Sequence, residues 1–273
     1  MLRILINALR TGVVTTRYPA EPNSPPERFR GQPIFRPGTG LPPPEVCPTG
    51  AISEHPDAGG SHLAVDLARC VFCGRCAEDQ WSGAVATGRE FELAARSRAD
   101  LRIEVVDDDA AVHAKPASDP EAEAARALSE IRRVLGRSLH LRHLDAGSCN
   151  ACDWELTALL NPVYDIRRLG IDFVASPRHA DGVVITGPVT RNLATAVRRT
   201  IEAVPEPRIV IAVGACATGG IFGEGYANLG GADQIHPVDV YIPGCPPRPE
   251  AIIFGILVAL GRLESRKTST SIV

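Results

Sequence analysis

The sequence predicts an α/β layered fold with a parallel sheet in its second half, preceded by a smaller α+β unit organised around cysteines. Two observations carry this. From about residue 138, short β-branched runs alternate with helical stretches, the order that yields a parallel sheet with crossover helices. Before that point, four cysteines sit in loop-like surroundings that follow a proline- and glycine-rich stretch. The division that follows is 1–106 for the cysteine unit with an N-terminal extension, 107–119 for a linker, and 120–273 for the α/β unit.

Bulk properties exclude several classes. Apolar content of 44% and charged content of 22% are those of a soluble globular protein. A net charge of −3 and 5% aromatics supply neither a basic surface nor stacking platforms for nucleic acid. The longest apolar run, AIIFGILVALG (Ala251–Gly261), is about half the roughly 20 residues a bilayer span needs. The N-terminal MLRILINALRTGVV lacks a small-residue cleavage site and does not read as a signal peptide. Without export, the eight cysteines are not expected in disulfides, and cysteine clusters become metal candidates.

Along the chain, residues 1–20 begin with an amphipathic helical pattern (Leu2, Ile4, Leu5, Ile6, Leu9) and pass into β-leaning TGVVTTRYP. This segment either packs on the core or docks on a partner or membrane surface. Residues 20–50 are irregular. The acidic stretch from Asp107 to about Ser118 reads as a solvated linker. A helix then starts with Ser118 or Asp119 as cap and Pro120 at its first position, and Gly136 ends it. The strands are LHLRHL, Ile171–Ser176, Asp181–Gly187, Arg208–Gly214 and Val238–Gly244. The helices between and after them are Asp153–Leu160, Asn192–Val204 and Pro249–Glu264. The last is apolar on all sides, which implies burial in this chain's core or against a partner.

The cysteines fall into two quartets. CVFCGRC carries Cys70, Cys73 and Cys76 at two-residue gaps but continues AEDQW, without the Cys-Pro that completes a bacterial ferredoxin run. In two-cluster ferredoxins that fourth ligand comes from the other run, and Cys47-Pro48 stands upstream. Counting back from Cys47 by four, seven and ten reaches Pro43, Gly40 and Pro37; counting forward from Cys76 by four reaches Gln80. One complete ligand set is therefore absent and the other complete. This unit resembles a bacterial two-cluster ferredoxin reduced to a single [4Fe–4S] cluster held by Cys47, Cys70, Cys73 and Cys76. A four-cysteine zinc site is the alternative, although it usually uses two C-x2-C pairs.

The second quartet is Cys149 and Cys152 in GSCNACDWE, Cys216 in VGACATGG and Cys245 in PGCPPRPE. Each loop follows an expected strand, and in a parallel sheet these loops share one edge, so the thiols can converge. With SPRHADGVVITGPVT, these stretches make residues 137–264 resemble the small subunit of group 4 (membrane-bound, energy-conserving) [NiFe]-hydrogenases and formate hydrogenlyase. They equally resemble the 20 kDa cluster-bearing subunit of respiratory complex I. The resemblance implies a flavodoxin-like fold and a second [4Fe–4S] cluster on Cys149, Cys152, Cys216 and Cys245. It also implies an active site largely on a partner subunit. Complex I subunits have two adjacent cysteines at the first position; here Asn150 and Ala151 intervene, as in the hydrogenase branch. RYP (Arg17–Pro19) and RFRGQP (Arg28–Pro33) resemble the ferredoxin-like subunit of the same assemblies.

Near the quartets, Asp153 and Glu155 either complement a helix dipole or serve in proton relay or contact with the partner's active site, since the resemblance implies an acidic residue here. Arg178, His179 and Arg248 are candidates for hydrogen bonds toward cluster sulfurs or a partner surface. Trp154 reads as a core or interface anchor. The resulting expectation is an electron-transfer subunit of a multisubunit oxidoreductase with two [4Fe–4S] clusters. Its partners are a catalytic large subunit, of the NiFe-hydrogenase or complex I 49 kDa kind, and other subunits of the complex. It has no transmembrane span and lies cytoplasmic, peripheral at the inner face of the cell membrane. The alternatives are a complex I-like subunit serving quinone, and a stand-alone carrier or redox sensor.

Overall fold

The computed structural model describes residues 2–21, 23–36, 40–57, 60–105 and 138–261. The expected linker and the helix capped near Ser118 lie outside the described residues. Helix α1 (Leu2–Thr11) opens the chain with Ile4 and Leu9 more than 70% exposed. The stretch after it forms no strand, unlike the β-leaning expectation. It is pinned to a distant loop instead: Thr16 N donates to Val163 O at 2.8 Å and Thr15 Oγ1 to Pro162 O at 2.7 Å. Tyr18, two residues on, is buried, and its hydroxyl donates to Glu92 at 2.9 Å.

The first-half unit holds two small antiparallel sheets. One pairs β1 (Pro33–Phe35) with β4 (Val85–Thr87). The other runs β2 (Ile52–Asp57), β3 (Gly60–Asp66), β5 (Arg102–Val105). In β5, Ile103 and Val105 alternate inward while Arg102 and Glu104 are partly exposed, the period of a half-buried strand.

The second half forms a five-stranded parallel sheet from β6 (Leu139–Asp145), β7 (Ile171–Phe173), β8 (Gly182–Thr186), β9 (Ile209–Val213) and β10 (Val240–Ile242). The spatial order is β10-β9-β8-β6-β7. Numbered from one within the sheet this is 2-1-3-4-5, the flavodoxin-like order, with its switch point between β6 and β8. Every residue of β8, β9 and β10 is buried, because helices or the first-half unit cover both faces.

Four helices follow the sheet strands: α2 (Ala151–Ala158), α3 (Arg191–Glu202), α4 (Ala215–Gly219) and α5 (Pro249–Ala259). Helix α3 buries Val197 and Ile201 and turns its polar face outward. All of α5 is buried, so its apolar surround belongs to this chain's own core. Each of Ile252, Ile253, Ile256 and Leu257 contributes about 1.5–3 kcal/mol by leaving water.

The sheet's two faces have different covers. Leu139, Leu141, Val184, Ile209 and Ile211 pack with Leu156 and Leu159 and with α5. Val183, Ile185, Val210 and Ala212 pack with α3 and with Phe35, Val65, Leu67 and Ile103 of the first half. The first half therefore shares a core with the sheet. It also covers the β10 edge, where Ala95 N donates to Tyr241 O at 3.0 Å and Tyr241 N to Ala95 O at 2.8 Å.

Candidate metal centres

Cys47, Cys70, Cys73 and Cys76 line one cavity, with Phe35, Ile52, Val65 and Phe72 among its walls. Cys47 follows a 3-10 turn (Pro44–Val46), while the triple run follows β3 and bends through left-handed residues Phe72 (φ 53°) and Gly74 (φ 79°). Backbone amides reach the sulfurs: Ala51 N lies 3.2 Å from Cys47 Sγ and Phe72 N 3.4 Å from Cys70 Sγ. Arg30 lies across the loop, its Nη1 donating to Cys73 O at 2.6 Å.

Burial, with smaller contributions from Cys76, Cys47 and Cys73, pushes the Cys70 thiol up to about 12. Burial and then Cys73 and Cys47 push Cys76 up. At Cys47 burial acts upward, but hydrogen bonds from Thr49, Ala51 and Ile52 outweigh it and hold the thiol below its ordinary value. Crowded thiols in an apolar pocket disfavour thiolate until a cation arrives; a coordinating thiol is deprotonated outright.

The second quartet assembles at the carboxyl edge of the parallel sheet. Cys149 and Cys152 come from the β6–α2 junction at the switch point, Cys216 from α4 after β9, and Cys245 from the loop between β10 and α5. Cys152, Cys216 and Cys245 each feel other members of the quartet. After burial, Cys216, Cys245 and Cys149 push Cys152 well up; burial with Cys245 and Cys149 takes Cys216 to about 11; burial and Cys149 raise Cys245. Gly214 makes the approach possible: at φ 87° and ψ 154°, it has no side chain where a Cβ would fall closer than 3.0 Å to Cys152 Sγ.

The loop before Cys149 is built by side chains. The Asp145 carboxylate accepts from Gly147 N (2.9 Å) and Ser148 N (2.7 Å). Asn150 caps α2 at φ 67°, a left-handed conformation that asparagine tolerates. Asp153 is held by Ser148, by Thr186 Oγ1 at 2.7 Å and by His143 Nε2 at 2.9 Å. His143, Thr186 and Arg30 act across elements, where no local spacing reveals them, while Ser148 acts within the loop that leads into α2. Trp154, beside Cys152, is 73% exposed, which places it at the surface and not in the core. Arg178 and His179 are exposed in a short 3-10 turn.

Arg248 turns toward the core. It makes two 2.8 Å bonds to the fully buried Glu250 and lies over the Phe91 and Phe29 rings at 4.7 and 5.5 Å. Asn23 also donates to Glu250. Glu155 is half-buried nearby, pushed up by burial and then by Glu250, with Arg248 opposing.

Among the described residues no three His, Cys, Asp or Glu side chains are arranged to hold a single metal ion. A four-iron cluster takes one thiolate per iron, a wider ligand set than one ion draws together. The donor chemistry of both quartets, four soft thiols with N–H groups at the sulfurs of the first, fits such a cluster.

The family model described as "NADH ubiquinone oxidoreductase, 20 Kd subunit" matches residues 149–259, which contain the second quartet and none of the first. The chain is 48% identical over 137 residues to a probable membrane-bound hydrogenase subunit of Pyrococcus furiosus, covering 50% of this chain and 82% of that one. It is 44% identical over 152 residues to formate hydrogenlyase subunit 7 of Escherichia coli, covering 55% of this chain and 59% of that one. It is 44% identical over 119 residues to an NADH-quinone oxidoreductase subunit of Citrifermentans bemidjiense, covering 43% of this chain and 69% of that one.

Proposed function

The chain belongs to the family of the NADH ubiquinone oxidoreductase 20 kDa subunit, and on that premise we propose that it carries electrons through two [4Fe–4S] clusters. It is an oxidoreductase subunit, and its relatives in membrane-bound hydrogenase, formate hydrogenlyase and NADH-quinone oxidoreductase make it the iron–sulfur subunit of a membrane-associated complex. Cys47, Cys70, Cys73 and Cys76 hold one cluster, and Cys149, Cys152, Cys216 and Cys245 the other. The observation that carries this is the convergence of four thiols from three loops, spread over 96 residues of sequence, at the sheet's carboxyl edge. When bound, each cluster supplies one-electron redox capacity that no side chain here has.

The chain's own residues do the rest. Thiolates anchor, amides at Cys47 and Cys70 stabilise negative charge on sulfur, and the Asp145 and Asp153 bonds set the loop carrying Cys149. Trp154, exposed beside Cys152, is an aromatic anchor for the catalytic large subunit. Glu155, half-buried beside Glu250 and Arg248, relays protons in this reading. The C-x2-C spacing of Cys149 and Cys152 favours a hydrogenase-type partner over a quinone-reducing one. No helix among the described residues is long and apolar enough to cross a membrane. In this reading, attachment at the inner face runs through other subunits of the complex. Exposed Ile4, Leu9 and Val13 on and after α1 offer a docking surface.

Metal analysis of the natively purified complex tests the partner. Nickel at one per complex supports the hydrogenase reading. A stable complex without nickel that reduces quinone supports the complex I-like one, and a chain purified without any large subunit contradicts both.

A further inference from the structure

The two quartets meet across one buried backbone contact. On the first side, Ala68 and Arg69 lead directly into Cys70; on the second, Ala217 and Thr218 follow Cys216. Thr218 is fully buried, and its hydroxyl lies 2.8 Å from Ala68 O and 3.0 Å from Gly214 O. Gly219 stands so close that a Cβ there would fall within 3.0 Å of Ala68 O, Ala68 C and Arg69 N. At Gly219 the two main chains therefore touch directly, beside the Thr218 hydroxyl bridge. Arg98 closes the rim, reaching Gly219 O at 3.2 Å and Asp66 Oδ2 and Asp233 Oδ2 at 3.4 Å each.

We propose that this contact is the electron junction between the two cluster sites. Cys70 and Cys216 are its terminal ligands, and Thr218 and Gly219 are its positioning residues. The inference rests on the two-cluster reading above. The path from Cys70 to Cys216 is covalent except for the single hydrogen bond from Thr218 to Ala68. Electronic coupling falls steeply across through-space gaps and less across a short hydrogen bond, so closing this gap sets the exchange rate. In each event the electron lost at one quartet's cluster is gained at the other's. No heavy-atom bond forms or breaks and no proton leaves. Thr218 is fully buried, so no water competes for the hydrogen bond that joins the two chains.

The test uses the full chain with both clusters assembled, as wild type, Thr218→Ser, Thr218→Val and Gly219→Ala. A pulse of photoreduced flavin delivers less than one electron per chain, and freeze-quenched EPR follows its redistribution between the two cluster signals. Fully dithionite-reduced samples report the magnetic splitting between the clusters. Wild type and Thr218→Ser should exchange at the same rate. The isosteric Thr218→Val should slow exchange severalfold with both signals retained. Gly219→Ala, which forces the main chains apart, should slow it further and shrink the splitting. Thr218→Val protein with both clusters and an unchanged exchange rate overturns the junction. A wild-type chain holding one cluster instead overturns the two-cluster reading, a distinct result.

Discussion

Replacing Gly214 by alanine should empty the second quartet while leaving the first loaded. Gly214 sits at φ 87° and ψ 154°, a region essentially reserved for glycine, where another residue costs about 1–3 kcal/mol. For a chain of this size that lowers Tm by roughly 2–4 °C per kcal/mol. A second penalty falls on the ligand set, because the new methyl would stand closer than 3.0 Å to Cys152 Sγ. The backbone cannot retreat easily: Gly214 N donates to Ile242 O at 2.9 Å and Ala215 N to Gly244 O at 2.7 Å. Cys152 must therefore turn away from Cys149, Cys216 and Cys245. Anaerobically assembled Gly214→Ala protein should hold about four irons per chain where wild type holds about eight, with one EPR signal retained. Gly225→Ala, with nothing within 4 Å of its Cβ, is the control. A Gly214→Ala chain with the wild-type iron content and melting temperature would refute the placement of Cys152 as a ligand.

Three further outcomes follow from the same contacts. Arg248→Met leaves the Glu250 carboxylate buried without its cation and should destabilise by about 3–5 kcal/mol in thermal unfolding. The double variant Arg248→Met/Glu250→Leu should recover much of that, and a double variant no better than the single would argue against the buried pair. In the cluster-free protein, folded Cys70 and Cys216 titrate near 12 and 11, against an ordinary 9.0. Their stabilisation is full below the unfolded value and lost as pH rises through the folded ones, so the apo protein's Tm should fall above about pH 9. A Tm flat into the alkaline range contradicts the burial of these thiols. Glu155→Gln should slow turnover of the intact complex with cluster spectra unchanged; unaltered turnover removes the relay.

What the sequence made legible was local. The β-branched runs at 182–186 and 209–213 are strands because every position is buried, and a run of Val and Ile says so without context. The two cysteine groupings are legible because the cysteines keep fixed spacing to each other or to glycines; that they ligate clusters is the proposal. The all-apolar α5 could be placed as buried but not in what, since periodicity does not distinguish a chain's own sheet from a partner. TGVVTTRYP misled, because β propensity there serves an extended segment pinned by Val163 and Pro162 and not a ladder. The junction through Thr218, Ala68 and Arg98, and the bond from Thr186 to Asp153, join residues far apart in sequence and leave no pattern to read.

The central claim is that this one chain holds two four-iron clusters. Iron and acid-labile sulfide analysis of anaerobically purified protein, with EPR of the reduced form, tests it most directly. Two clusters require about eight irons and about eight sulfides per chain, with two signals that Cys73→Ala and Cys149→Ala abolish separately. About four irons per chain in the wild type, or zinc in the first quartet, would contradict it.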